Sequence, residues 1–173
     1  MGIVFLASCR SGNADNTQRS EDKAQENQAS HSNDAQANNK KSWFKVPIHF
    51  KDYHVDTFRG PRKPVDFSSH PIAERFHEKI TETVGRQGLN FAGRYSLVSW
   101  SCGKDCQNVA IVDLKTGAVY TGPAATNGYA FQKRSRLLVV NPPDRNGYYT
   151  DCSYCAPQLW VWNSNLKKFH RLY

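Results

Sequence analysis

Four cysteines form two close pairs, Cys102-x3-Cys106 and Cys152-x2-Cys155, and a fifth, Cys9, lies near the start of the 173-residue chain. Thiols at these spacings support three chemistries. In an oxidising compartment they form disulfides. In a reducing one, Cys-x2-Cys pairs commonly hold zinc as thiolates. A pair at the end of a strand can also cycle between thiol and disulfide where its thiolate is stabilised. Choosing among the three requires the compartment, and the first 42 residues speak to that.

Gly2 to Ala7 is a short apolar run, followed by Ser8 and Cys9. Leu6-Ala7-Ser8-Cys9 resembles the lipobox of bacterial lipoproteins. The resemblance implies cleavage before Cys9, a diacylglyceryl group on its thiol and an acylated new amino terminus, and more than one acyl chain anchors a protein stably. Residue 10 is Arg rather than Asp, and in that family an Asp after the Cys retains the product in the inner membrane. The resemblance therefore implies the outer membrane, with the protein facing the periplasm. N-myristoylation is rejected, because its motif needs Ser or Thr at the sixth position, which is Leu6.

Arg10 to Ser42 contains no Val, Ile, Leu, Met, Phe, Trp, Tyr or Cys, and its five basic residues balance five acidic ones. Such a segment cannot bury enough apolar area to offset chain entropy, so disorder is expected. A flexible chain of this length spans about 30 Å, enough to hold a small domain clear of a membrane. The expected organisation is a signal and lipobox remnant at 1–9, a polar linker at 10–42 and one domain at 43–173.

An exported location favours disulfides. The two local bridges, Cys102–Cys106 and Cys152–Cys155, are preferred, with Gly103 letting the first loop bend; the cross-pairings stay open, since spacing does not determine Cβ geometry. Zinc is disfavoured by the looser first spacing and the oxidising compartment. Trp100-Ser101-Cys102-Gly103 resembles the opening of a thioredoxin-type active site. However, the cysteines stand one residue too far apart, and Val109 to Leu114 reads as a strand where that chemistry needs a helix N-terminus. Thiol redox or metal handling by these four cysteines is the alternative function.

All of the net charge of +8 falls on residues 43–173, which hold 18 basic and 10 acidic residues and 20 of the 21 aromatics. A basic surface attracts anionic partners. Lys133, Arg134 and Arg136 form one cluster, and Lys167, Lys168 and Arg171 another. Trp160 and Trp162 are two apart in a strand and so share a face, with Leu159 and Val161 on the other. If exposed, the tryptophans together with Arg94, Lys133, Arg134 and Arg136 make a recognition patch for an anionic envelope component or an acidic protein. Charge alone also permits nucleic acid, which an exported location disfavours. A mean hydropathy of −0.68 excludes a multi-span membrane protein.

Catalytic constellations are thin, and no cofactor is called for. His49, His54, His70, His77 and His170 lack metal-type spacing or companion carboxylates. Glu74 and Glu78 interleave with Arg75 and Lys79 as a solvated helix face. Asp113 is expected to start the turn at Lys115-Thr116-Gly117 through its side-chain oxygen.

These residues require a scaffold. Pro71 opens a helix whose stripe is Ile72, Phe76, Ile80 and Val84, ended by Gly85 or Gly88. Lys45–Phe50 is at best an edge strand, because Pro47 cannot donate to a ladder. Short strands are expected at 95–100, 109–114, 118–121, 136–140, 158–162 and 167–172. Without intervening helices these form an antiparallel meander, so the fold class is α+β: a small sheet with one amphipathic helix packed on it.

Asn90-Phe91-Ala92-Gly93-Arg94-Tyr95, Trp100-x-Cys102-Gly103-x-x-Cys106-Gln107 and Ala110-Ile111-Val112-Asp113-x-Lys115-Thr116-Gly117-x-Val119-Tyr120 resemble a set of small exported bacterial proteins of unknown function, as does Gly60-Pro61-Arg62-Lys63-Pro64-Val65-Asp66-Phe67. That set implies export and no activity. Two positions depart from it: Ser101 stands where Gly is usual, and Arg94 where His is frequent. The Cys152–Cys155 pair lies outside the shared pattern. The expected function is thus an envelope-anchored lipoprotein whose basic domain acts by binding, as an inhibitor, an immunity-like protein or an adaptor.

Overall fold

The computed structural model describes residues 40–173. The lipobox and nearly all of the expected linker lie outside the described residues. The described part is α+β and antiparallel throughout, as the sequence implies, but its strands divide among three sheets.

β1 (Lys41–Trp43) pairs with β7 (Tyr148–Thr150) in a two-stranded ribbon. β2 (Tyr95–Gly103), β3 (Cys106–Asp113) and β4 (Val119–Thr121) form a three-stranded sheet in that order. β5 (Tyr129–Phe131), β6 (Leu137–Val140), β8 (Gln158–Asn163) and β9 (Lys168–Arg171) form a four-stranded sheet. The meander is interrupted where the chain leaves β6, forms β7 against β1, and returns as β8.

Side-chain alternation explains the stacking. Leu97, Val109 and Ile111 of the small sheet share one core with Leu138, Val140 and Trp162 of the large one, so the two sheets face each other. The opposite face of the small sheet (Val98, Trp100, Ala110, Val112) is covered by the helical segment. The opposite face of the large sheet (Leu137, Val139, Leu159) is covered by Phe44, Val46, Ile48 and Phe50. Central strands buried on both faces read as continuous apolar runs, as RLLVV and VAIVDL do.

Three expectations change. The helix is broken into α1 (Pro71–Arg75) and α2 (His77–Gln87) at Phe76, whose φ of −115° leaves the helical range while its ring packs 4.5 Å from Trp100. His70 caps α1, its Nδ1 accepting from the Ile72 N–H at 3.1 Å, and α2 ends at Gly88. Lys45–Phe50 is not a strand: it alternates inward and outward but joins no ladder. The strand in this region is β1, whose Lys41 and Ser42 lie in the segment expected to be linker.

Residues 54–66 form a strap from the large sheet to the small one. Val55 N–H donates to Arg134 O, Phe58 N–H to Gly93 O, Lys63 N–H to Leu114 O and Asp66 N–H to Gly117 O, at 2.7–3.0 Å. Among the described residues no helix is long and apolar enough to cross a membrane.

Candidate functional site

Both cysteine pairs are bridged locally, Cys102–Cys106 and Cys152–Cys155, each with Cα atoms 5.1 Å apart. The first closes the tip of the β2–β3 hairpin, with Asp105 held at a φ of 52°. Cys106 begins a strand, so no helix N-terminus stands by to stabilise its thiolate. The second bridge lies close to the first. Asp105 and Cys106 share the wall of a recess of about 240 Å³ with Tyr154, Asn141 and Gln158. Asn141 organises that end. Its Oδ1 accepts from the Thr126 and Asn127 N–H groups at 2.7 and 2.8 Å, and its Nδ2 donates to Tyr154 O at 2.7 Å. Among the described residues no group of three or more His, Cys, Asp or Glu side chains is placed to hold a metal ion.

The candidate recognition patch does not form one surface. Trp162 is 0% exposed at the centre of the main core, 5.3 Å from the Tyr95 ring and 5.0 Å from Phe169. Its expected place in a surface patch is therefore corrected: the shared face of Trp160 and Trp162 points at the opposing sheet, not at solvent. Trp160 stands on the same face nearer the edge, half-buried, its Nε1 donating to Gln158 Oε1 at 3.0 Å. Lys133 and Arg134 are exposed between β5 and β6, and Arg134 reaches Asp56 at 3.5 Å. Arg136 is half-buried beside them.

Arg94 is not a free surface cation either. Its Nη2 donates at 2.8 Å to Asp113 Oδ2 and at 2.8 Å to the Tyr95 hydroxyl. The Asp113 side chain is 0% exposed, and Lys167 Nζ approaches the same oxygen at 4.0 Å. Asp113 also begins the turn as expected, Oδ1 accepting from the Lys115 N–H at 3.0 Å. A carboxylate buried this deeply is tolerable only with such partners. Burial raises the pKa of the Tyr95 hydroxyl; the Trp162 indole and Arg94 oppose the rise, and the Asp113 charge adds to it. Burial, then Asp113, raises that of Tyr120. The network was missed in the sequence, although an Asp at the end of the apolar run AIVD signals a buried carboxylate in need of a cation.

Lys167 connects this network to an open groove of about 490 Å³ between β4 and β9, lined by Tyr120, Trp160, Phe169, Lys167, Lys168 and His70. Lys167 adopts a φ of 53° in the β8–β9 turn, which carries its ammonium to 5.8 Å from the Tyr120 ring centre. The groove thus combines aromatic surface with cations. The basic residues separate into two places: Lys167 and Lys168 with Trp160 at the groove, and Lys133, Arg134 and Arg136 with Arg94 near the strap.

No protein-family model matches this chain, and neither does any curated protein or solved structure at a significant level.

Proposed function

We propose that the protein is a lipid-anchored component of the bacterial envelope, held at the outer membrane through Cys9, whose disulfide-stabilised basic domain acts by binding an anionic envelope component or an acidic protein rather than by catalysis. An inhibitor, immunity-like or adaptor role fits this description. One observation carries the binding reading: the groove in which Trp160, Tyr120 and Phe169 stand beside Lys167 and Lys168. Aromatic area next to cations suits a partner with both apolar and anionic groups. The lipobox resemblance and the polar segment after it support the tether.

Two measurements test the reading. Intact mass spectrometry of native protein should find a chain beginning at Cys9 with acyl groups attached; an unprocessed chain with its first Met refutes the anchor. Capture of partners from envelope extracts should weaken for Lys167→Gln/Lys168→Gln and for Lys133→Gln/Arg134→Gln/Arg136→Gln with the fold retained. Identical capture by both variants and the parent refutes the basic surface as the binding element.

A further inference from the structure

The β1–β7 ribbon turns an aromatic and basic face to solvent. In both strands the end residues are exposed and the middle one is half-buried. Alternation therefore sends Ser42 and Tyr149 inward, and Lys41, Trp43, Tyr148 and Thr150 outward. Trp43 and Tyr148 are direct cross-strand partners, 60% and 45% exposed. Single exposed aromatics are ordinary, but two side by side on one face make a patch. The Trp43 indole has a prepared place: Gly147, at φ +84°, leaves it room, since a Cβ there would lie 2.8 Å from Trp43 Nε1. The outward parity continues past the strand to Lys45, which is exposed, while Phe44 and Val46 pack inward on the large sheet. Arg145 is exposed in the turn before β7. With Lys40 and Lys41, this end of the domain carries four cations. Two carboxylates stand among them: Asp144, 4.0 Å from Lys41 Nζ, and Asp151, which accepts from the Ser42 hydroxyl at 3.3 Å. The balance is positive.

Position along the chain points to the partner. β1 is the first strand of the described residues, and only positions 10–39 lie between Cys9 and Lys40. We infer that this face docks on the surface of the membrane that holds the anchor, with Trp43 and Tyr148 entering the headgroup region and Lys41, Lys45 and Arg145 meeting anionic lipid. Trp and Tyr suit that boundary, each having an apolar body and a polar tip. Basic residues beside them add attraction to anionic headgroups. An anchor a short way along the chain keeps the face at high effective concentration beside the bilayer, so weak contacts suffice. The inference rests on the anchor reading for a membrane within reach, and on the ribbon for the face that meets it.

The test reads tryptophan emission of the full chain, native and with Cys9→Ser, against vesicles of phosphatidylcholine and phosphatidylglycerol whose phosphatidylcholine is brominated in its acyl chains. Trp100 and Trp162 are buried and Trp160 is half-buried, so quenching by lipid reports Trp43. Emission should move to the blue and be quenched, and Trp43→Phe should remove the quenched component. Association of the Cys9→Ser chain should weaken at least about tenfold in Lys45→Gln/Arg145→Gln, which spares the Lys41–Asp144 pair. It should weaken less than about twofold in Lys133→Gln/Arg134→Gln. No quenching, quenching that survives Trp43→Phe, or equal association with phosphatidylcholine alone overturns the inference. So does a blue shift without vesicles that grows with protein concentration, as a second copy on this face would give. If the acylated chain stays on vesicles with Trp43 unquenched, the docking face fails and the anchor stands. If native protein carries no acyl group and the Cys9→Ser chain is quenched through Trp43, the anchor fails and the docking face stands.

Discussion

The Arg94 guanidinium donates at 2.8 Å to the carboxylate of Asp113, nineteen residues away on the neighbouring strand and wholly shielded from solvent. Arg94 itself keeps 27% of its side chain exposed. The pair therefore works asymmetrically: the cation is partly hydrated, and the anion depends on its partners.

Removing the cation should accordingly be costly. Arg94→Met leaves Asp113 with Lys167 at 4.0 Å and is expected to destabilise by about 3 kcal/mol, as breaking a buried pair does. Lys167→Met, half in solvent, should lose less than about 1 kcal/mol. Arg94→Met combined with Asp113→Asn should lose less than the sum of the single variants, because each removes the same contact. Denaturant unfolding measures all four, and strict additivity contradicts the coupling.

Two glycines are positions of close backbone approach. Gly93, at φ +70°, would set a Cβ against the Asp56 carbonyl, and Gly117, at φ +88°, against the Pro64 carbonyl. Both carbonyls belong to the strap. Gly93→Ala and Gly117→Ala should each destabilise by about 3 kcal/mol through strain and displacement of the strap. Gly85, inside α2, has nothing within 4 Å of a Cβ, so Gly85→Ala should instead stabilise by about 0.5–1 kcal/mol. Thermal unfolding distinguishes the two signs.

The disulfides should differ in what their loss releases. Cys102→Ala/Cys106→Ala opens a four-residue separation at the tip of a hairpin whose ladder runs on to Tyr95 and Asp113. A cost of about 2 kcal/mol with the fold kept is expected from loop closure. Cys152→Ala/Cys155→Ala should add local loosening, because Cys155 is buried and the Tyr154 carbonyl anchors Asn141 and Thr126. Limited proteolysis should cut near Tyr154 in the second variant and spare the first; equal cutting in both argues against this division.

Asp144 offers an acid-side test. The Tyr148 N–H, then those of Asn146 and Gly147 together with the Lys41 charge, hold its carboxyl below the ordinary carboxylate value. A depressed value in the folded chain means that its contribution is present above pH about 4 and is lost as pH falls through the depressed value. The turn it braces leads into β7, with Oδ1 accepting from Asn146 N–H at 2.8 Å and from Tyr148 N–H at 3.0 Å. Protection of the β1 and β7 amides relative to β6 should therefore fall on acidification, and Asp144→Ala should show the same loss at neutral pH.

Which parts were legible follows from what each signal contains. Apolar runs and Gly-bearing turns located β2, β3, β4, β6, β8 and β9, because side-chain alternation and turn chemistry are local. Tyr129–Phe131 and Tyr148–Thr150 were missed: three residues beside turn glycines carry no period. The division into sheets was illegible as well, since β7 pairs with β1 more than a hundred residues away. The parity of Trp160 and Trp162 could be read from their spacing, but not the depth of their face, which depends on the opposing sheet. Arg94 looked like a surface cation because its anion was legible only as a turn former. The local cysteine bridges were the preferred pairing, but spacing left the cross-pairings open, and only the geometry decides between them.

The alkaline limit gives the last test. Tyr95, Tyr120 and Tyr129 all have hydroxyls pushed above the usual value near 10, with burial the leading cause in each. Tyr129 is held furthest up; its hydroxyl lies 2.9 and 2.8 Å from the carbonyl oxygens of Gln107 and Pro123, where a phenolate would be repelled. A value raised in the folded state means that the chain holds these protons more tightly folded than unfolded. Their contribution is complete below pH about 10 and is lost as pH rises through the raised values. Tyrosinate absorbance should thus show a late component that coincides with loss of near-ultraviolet circular dichroism, because the Tyr95 and Tyr129 hydroxyls ionise only as the sheets separate, whereas Tyr120 stands on the open groove. Tyr129→Phe should shrink that component and take the hydroxyl from the Pro123 carbonyl, while the Gln107 carbonyl keeps the Ala125 N–H, destabilising by about 1–2 kcal/mol at neutral pH. Complete, reversible ionisation of all eight tyrosines with the dichroism intact would show that the face between the two sheets admits water and charge, and would remove the basis for placing Trp162 and Tyr95 in a closed core.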